Sequence, residues 1–230
     1  MLGEGRWNFY EKILTAKYKE LKQLYFQRQF DGWQLSKEES GVRLYSKIDQ
    51  ETGLKTVRGE GIINAPAKKI MEAALNISEN TLWDDTMEQG KLVETKNNYH
   101  VIYNILKRIG FLTKRDVLTV FSSYHEKDGT IYAVGTSVEN IKQQENPMYV
   151  RANVNIAGWV LKPLEYDPNS THVTYILSCD PKGMILKSLI NWFAEQQGMN
   201  VRKLGNFVEK KLWNENQDIP PNSDESFFFK

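Results

Sequence analysis

The residues of this 230-residue chain that could move protons or hold metals are few and scattered. The three histidines, His100, His125 and His172, have no neighbour at zinc-ligand spacing, and neither HxxxH nor CxxC occurs. No metal and no cofactor are therefore expected. Cys179 is the sole cysteine, which excludes an internal disulfide framework and a multi-cysteine metal site. It could act as a nucleophile, but in the apolar run THVTYILSC it is read first as a small buried residue on a strand. Asp84-Asp85 reads either as paired catalytic carboxylates or as the solvated face of a short helix beside Trp83. Gly59-Glu60-Gly61 is too short for a dinucleotide fingerprint, and GxSxG and GxxxxGK[ST] are both missing. The chain is expected not to be an enzyme.

The unusual stretch lies elsewhere. Residues 105–117 read ILKRIGFLTKRDV, an apolar patch of Ile109, Gly110, Phe111 and Leu112 fenced by Lys107, Arg108, Lys114 and Arg115. Such a patch suits neither a water-facing loop nor an ordinary core strand. Bulk charge does not explain it: 30 Lys plus Arg against 29 Asp plus Glu gives +1, too little for a global nucleic-acid case. The N-terminus carries no apolar run of signal-peptide length, and no window approaches the roughly 18 apolar residues of a spanning helix. The expectation is a cytoplasmic, soluble monomer whose membrane contact, if any, is peripheral.

The elements that must position these residues follow from periodicity. Residues 8–30 carry a helical apolar stripe from Phe9 to Phe30, ended by Asp31-Gly32. Val42, Leu44 and Ser46 alternate with Arg43, Tyr45 and Lys47, and LKTVRGEGII reads as the hairpin partner. Ala65-Pro66 opens a helix through KKIMEAALN, and Ser78 is placed to cap a short helix ENTLWDDTM. Six strand-like stretches follow between residues 91 and 179. One hairpin turns at Lys127-Asp128-Gly129 and a later one at Asp167-Pro168-Asn169-Ser170. A single long helix is expected from about Leu186 to Trp213, with Gly198 and Gly205 as tolerated interruptions. Helix, strands, helices, antiparallel strands and helix make an α+β fold. The expected organisation is an extension at 1–7, one domain at 8–213 and a disordered tail at 214–230. The segment DESFFFK in that tail is a candidate docking segment.

Three blocks resemble the START family of lipid-transfer domains. They are Arg115-Asp116-Val117-Leu118, then Tyr149-Val150-Arg151-Ala152 with Gly158-Trp159 and Lys162-Pro163-Leu164, then Asp180-Pro181-Lys182-Gly183-Met184 running into Leu189-Ile190-Asn191-Trp192. Element order extends the resemblance over residues 8–213. It implies a helix-grip fold: a curved antiparallel sheet wrapped around the long C-terminal helix, with an internal lipid tunnel. It implies non-enzymatic binding of one lipid (a phospholipid, sterol or diacylglycerol-like molecule), with transfer between membranes or lipid sensing. Related folds that act as cyclases or hydrolases, and an interaction module with a filled cavity, are the alternatives. The chain departs from the family where many members have a buried Arg five residues beyond the Asp of the Arg-Asp pair. Phe121 stands there, and Ile102 faces it in place of a carboxylate.

On this reading the tunnel wall comes from alternate strand residues: Ile102, Phe121 and Ser123, and then either Ala133 or Tyr132 with Val134 and Thr136. Asn153 and Asn155 either meet a polar lipid end or pair with backbone or water. Ile190, Phe193, Gln197 and Val201 supply the helix side, and Arg151 braces structure. The loop carrying Ile109, Phe111 and Leu112 falls at the tunnel mouth. Its apolar residues either dip into a bilayer, with Lys107, Arg108 and Lys114 on anionic head groups, or tuck under and pack on the last helix.

Overall fold

The computed structural model describes residues 3–217, apart from the side chains of Lys187, Asn216 and Gln217. The first helix, α1, runs Gly3–Phe26, so the helix begins five residues before the start expected at residue 8. A short 3-10 turn (Gln29–Asp31) leads to strands β1 (Gln34–Glu39), β2 (Val42–Ile48) and β3 (Lys55–Ile63). Helices α2 (Ala67–Leu75) and α3 (Asn80–Trp83) follow. The meander then continues through β4 (Met87–Lys96), β5 (Tyr99–Leu106), β6 (Arg115–His125), β7 (Ile131–Ser137), β8 (Val150–Arg151), β9 (Asn153–Leu164) and β10 (Asp167–Asp180). Two helices close the chain, α4 (Lys187–Gly198) and α5 (Asn200–Gln217).

The strands form one sheet in the order β1-β2-β3-β10-β9-β7-β6-β5-β4, with β8 added in parallel beside β6. Every pairing along the path is antiparallel. Helices pack on both faces of the central strands. On the inner face, Val57, Ala133, Trp159, Val173 and Leu177 pack with Ile70, Ala194, Val201 and Leu204 of the helices. On the outer face, Trp7, Tyr10, Leu14 and Leu21 of α1 pack on Leu118, Tyr132, Val134, Val160 and Ile176. Gly158 belongs to this outer packing, since a Cβ there would lie 2.5 Å from Leu21 Cδ1. The Gly158-Trp159 pair thus lets α1 sit close on one face while Trp159 fills the other.

Several expectations are corrected. The C-terminal helix is two helices, because Met199 interrupts the run between Gly198 and Asn200. The short helix stops at Trp83, with Met87 already in β4 and Glu79 rather than Ser78 at the cap position. Between β9 and β10 the chain turns at Glu165 and Tyr166. Asp167–Ser170 instead forms an irregularity at the start of β10, where the register shifts between Asp167 and Thr171. The predicted turn at Lys127-Asp128-Gly129 is present, closed by Glu126 N–H to Thr130 O at 2.9 Å, with Gly129 at φ 83°. Of the predicted tail, residues 214–217 continue α5, and the rest, DESFFFK included, lies outside the described residues.

Candidate functional site

The inner face of the sheet and the helices α2–α5 enclose two adjoining chambers. The mouth chamber has about 740 Å³ of unfilled space, including its opening, and is lined by Leu106, Ile109 and Leu112 on one side and Ile185, Leu189, Ile190 and Phe193 on the other. The inner chamber has about 900 Å³, counted the same way, and is lined by Ile102, Val117, Phe121, Val154, Ala157, Trp159 and Tyr175. Leu106, Leu177, Cys179 and Phe193 line both chambers and form their shared boundary. Trp159 stands between Tyr175 (ring centroids 4.3 Å apart) and Trp83 (6.2 Å, edge-on), so one wall is aromatic. Phe121 packs against Gly135, where a Cβ would meet its ring at 2.1 Å.

The inner chamber ends in a polar cluster that periodicity did not reveal. Asp84 Oδ1 accepts from the Thr86 N–H (2.9 Å) and hydroxyl (2.6 Å), and Asp84 Oδ2 accepts from Asn200 Nδ2 (3.1 Å). Gln197 Nε2 donates to Thr86 Oγ1 (2.8 Å). The Tyr175 hydroxyl donates to Gln197 Oε1 (3.4 Å), and burial raises its pKa. Among the described residues, Asn80 Oδ1, Asn104 Oδ1, Asn200 Oδ1 and Trp83 Nε1 are buried without a hydrogen-bond partner. All four side chains line this chamber. Buried polar atoms are rarely left unpaired, so these four atoms are places where water or a guest could bond. The signals in the sequence were faint: Asn104 is polar within YHVIYNIL, and Asp84 follows Trp83.

The predicted wall divides into residues that reach the chambers and residues that do not. Ile102, Phe121, Ile190, Phe193 and Gln197 line them. Val134 instead belongs to the outer core beneath α1, and Ala133 takes the inner face. Thr136 shares the face of Val134, and its hydroxyl reaches the carbonyls of Val154 (3.1 Å) and Asn155 (2.9 Å). Asn155 is the extra residue of a bulge, since Ser178 pairs with Ile156 and Cys179 with Val154. The bulge brings Val154 and Ala157 inward, while Asn153 Nδ2 donates to Asn155 Oδ1 (2.7 Å) and Asn155 Nδ2 to Ser178 Oγ (3.4 Å). Ser123 lies beyond the chamber and donates to Asn98 Oδ1 (3.1 Å). Val201 is past it as well, against Gly61.

The candidate reactive groups are also separated. Asp84 is buried, whereas Asp85 turns outward to Lys203 at 3.1 Å. Burial pushes the Cys179 thiol up to about 12, so it stays protonated at neutral pH. Among the described residues no group of three His, Cys, Asp or Glu could hold a metal ion.

At the mouth, Phe111 is fully exposed, while Ile109 and Leu112 fold over the opening. Met184 and Leu186, in the segment before α4, are exposed too. Arg115 ties the two loops together, donating to Thr113 O (2.5 Å), Pro181 O (3.3 Å) and Lys182 O (3.2 Å). Lys107 and Arg108 are exposed, but Lys114 is engaged with Glu88 at 2.7 Å. The neighbouring Asp116 is held by Arg151 through Nε (2.8 Å) and Nη2 (2.9 Å) and by the Tyr103 hydroxyl (2.9 Å). Arg151 therefore braces β8 against β6.

A family model for the START domain matches residues 13–206. The chain belongs to the START domain family. It is similar to StAR-related lipid transfer protein 5 of Bos taurus, 24% identical over 178 residues that cover 75% of this chain and 83% of the relative. It is similar also to the mitochondrial steroidogenic acute regulatory protein of Homo sapiens, 25% identical over 188 residues, 79% of this chain but only 64% of that protein. In fold it matches the human StAR-related lipid transfer protein 5 structure with a TM-score of 0.81 at 18% identity, over 89% of this chain and 99% of that one. The sheet and closing helices are thus those of the helix-grip START fold. No helix among the described residues is long and apolar enough to cross a membrane.

Proposed function

We propose that this START domain binds a single lipid, polar end innermost, in the two joined chambers and carries it between membranes as a soluble cytoplasmic monomer. The observation that supports this most is the gradient along the cavity. Its mouth is apolar, its middle is apolar and aromatic, and its end has unpartnered hydrogen-bonding atoms and no cation in the lining. An acyl chain or sterol body matches the chemistry of the first two parts, and a small uncharged polar end matches that of the third. The name of one relative, StAR-related lipid transfer protein 5, favours the same reading. The single, partly buried thiol suits a reducing compartment.

Docking on a membrane is assigned to the two loops joined by Arg115. Phe111, Met184 and Leu186 are the exposed apolar groups there, each worth roughly 1.5–3 kcal/mol if fully buried. Lys107 and Arg108 would add about 1 kcal/mol each at an anionic surface. After ordering costs, the sum corresponds to roughly millimolar to micromolar binding, weak enough for release. The test is mass spectrometry of the protein under non-denaturing conditions after recovery from cells or after incubation with lipid extract. One lipid per chain, lost when the protein unfolds, is expected. A protein that stays empty in the presence of sterols, diacylglycerols and phospholipids would overturn the proposal.

A further inference from the structure

The sheet has a second cavity, on the face opposite the two chambers. Helix α1 covers the outer face over β6, β7, β9 and β10 and stops at Phe26. Beyond its end the outer faces of β2, β3, β9 and β10 form the floor of a cleft of about 1040 Å³, including the part open to solvent. Strand β3 serves both cavities: Val57 lines the mouth chamber, and Arg58 and Glu60, with opposite side-chain directions, line the cleft.

The charge of the cleft departs from that of the chain. Arg28, Arg43, Arg58 and Lys162 face a single carboxylate, Glu60, in a protein of net charge +1. Glu60 is already ion-paired with Arg58. Arg58 is itself fixed: it donates through Nη1 to Leu24 O (3.3 Å) and Gln27 O (3.1 Å) at the end of α1, between the rings of Tyr25 (5.9 Å) and Trp33 (5.8 Å). Its Nε is buried without a partner. Arg43 stands across from Glu60 on β2, and Lys162 across from His172 on β9. Among the described residues neither Arg43 nor Lys162 has a carboxylate in salt-bridge range, although Asp128 lies near Lys162 outside the lining.

With Glu60 already neutralised by Arg58, the two cations without a salt-bridge partner, Arg43 and Lys162, match a group with several acceptor oxygens and nearly two negative charges. A phosphate monoester has about −1.5 to −2 charge and three such oxygens, and Arg is suited to it by its fork of donors. Half-buried Tyr45 and exposed Phe26 supply apolar surface beside the cations. We propose that this cleft is a second binding site, for a phosphomonoester carried on a small organic body, separate from the lipid cavity. The phosphate could belong to a soluble metabolite or to a phosphorylated lipid head group.

The test uses the full chain, isotope-labelled for amide and indole N–H spectra. It is titrated with inorganic phosphate, with inositol trisphosphate, and with phosphatidylcholine vesicles with and without phosphatidylinositol bisphosphate. Trp33 and the amides of Arg43 and His172 should shift, and R43E/K162E should weaken binding about tenfold or more. R43Q/K162Q is the second variant should charge reversal unfold the protein. Loss of inositol trisphosphate binding in the variants supports a soluble ligand. Loss confined to phosphatidylinositol bisphosphate vesicles supports a head group. Lipid occupancy of the inner chambers should not change. Absence of any interaction at millimolar ligand, or equal affinity in wild type and variants, overturns the proposal.

Discussion

Arg151 and Asp116 show why a motif that resembles a functional signature can be structural. Asp116 is almost fully buried and receives hydrogen bonds from both Arg151 and Tyr103. Burial, followed by the hydrogen bond to Asp116, raises the pKa of Tyr103, so it remains a donor at any ordinary pH. Burial alone would lower the pKa of Arg151, but its hydrogen bonds to Asp116 together with the charge of Asp116 and other nearby acidic groups outweigh that and raise it. None of the three lines a chamber. Removing one partner of such a pair leaves an uncompensated buried charge, which costs about 3–5 kcal/mol. Arg151→Met is therefore expected to lower unfolding stability in urea by about that amount, while protein that remains folded binds lipid with unchanged stoichiometry. A stable Arg151→Met that has lost lipid binding would reassign Arg151 to the site.

At the scale of elements, the loop ILKRIGFLTK is divided between residues that cover the mouth and one apolar residue left exposed. Ile109 and Leu112 tuck over α4, whereas Phe111 points to solvent, and Arg115 joins this loop to the one before α4. Phe111→Ser with Met184→Ser should slow transfer between liposomes by about tenfold or more, if each apolar group contributes roughly 1.5–3 kcal/mol at the bilayer. Thermal stability should scarcely change, because both side chains are exposed. Unchanged transfer kinetics would remove these loops from membrane docking. The order of elements was readable in the sequence because strand alternation and turn residues are local. The inward face of each strand was not. With α1 on one face and α2–α5 on the other, β7 is buried at six successive positions from Ile131 to Thr136, so no polar alternation marks a side. The choice between Ala133 and Val134 was open for that reason. At Asn155 the bulge then reversed the parity of β9, which is set by pairing with β10 and invisible in β9 alone. The cluster of Asp84, Asn104, Gln197 and Asn200 joins three distant segments, so only the folded chain brings it together.

For the whole molecule, the remaining question is which lipid the cavity prefers. The inner chamber has no Lys or Arg in its lining, and its one buried acid is Asp84. The ring of Phe121 is packed against Gly135 in the wall of this chamber. A phosphate drawn into this chamber would lose its hydration, meet no cation and approach a carboxylate. That costs several kcal/mol per desolvated ion. A hydroxyl or amide could instead donate to Asn80, Asn104 or Asn200 and accept from Trp83 Nε1, pairing atoms that are now unpartnered. Sterols and diacylglycerols should therefore compete better than phosphatidylcholine, whose phosphate is accommodated only at the mouth, where Lys55, Lys107 and Arg115 lie. Phe121→Arg should weaken the neutral lipids about tenfold or more by placing an ionised group in an apolar wall, and it should narrow the gap to phosphatidylcholine. Competition among the three lipids, run on wild type and Phe121→Arg, checks both statements. Strong phosphatidylcholine selectivity in the wild type, with its phosphate beside Phe121 in a complex, would reject this account of lipid choice and leave the carrier function standing.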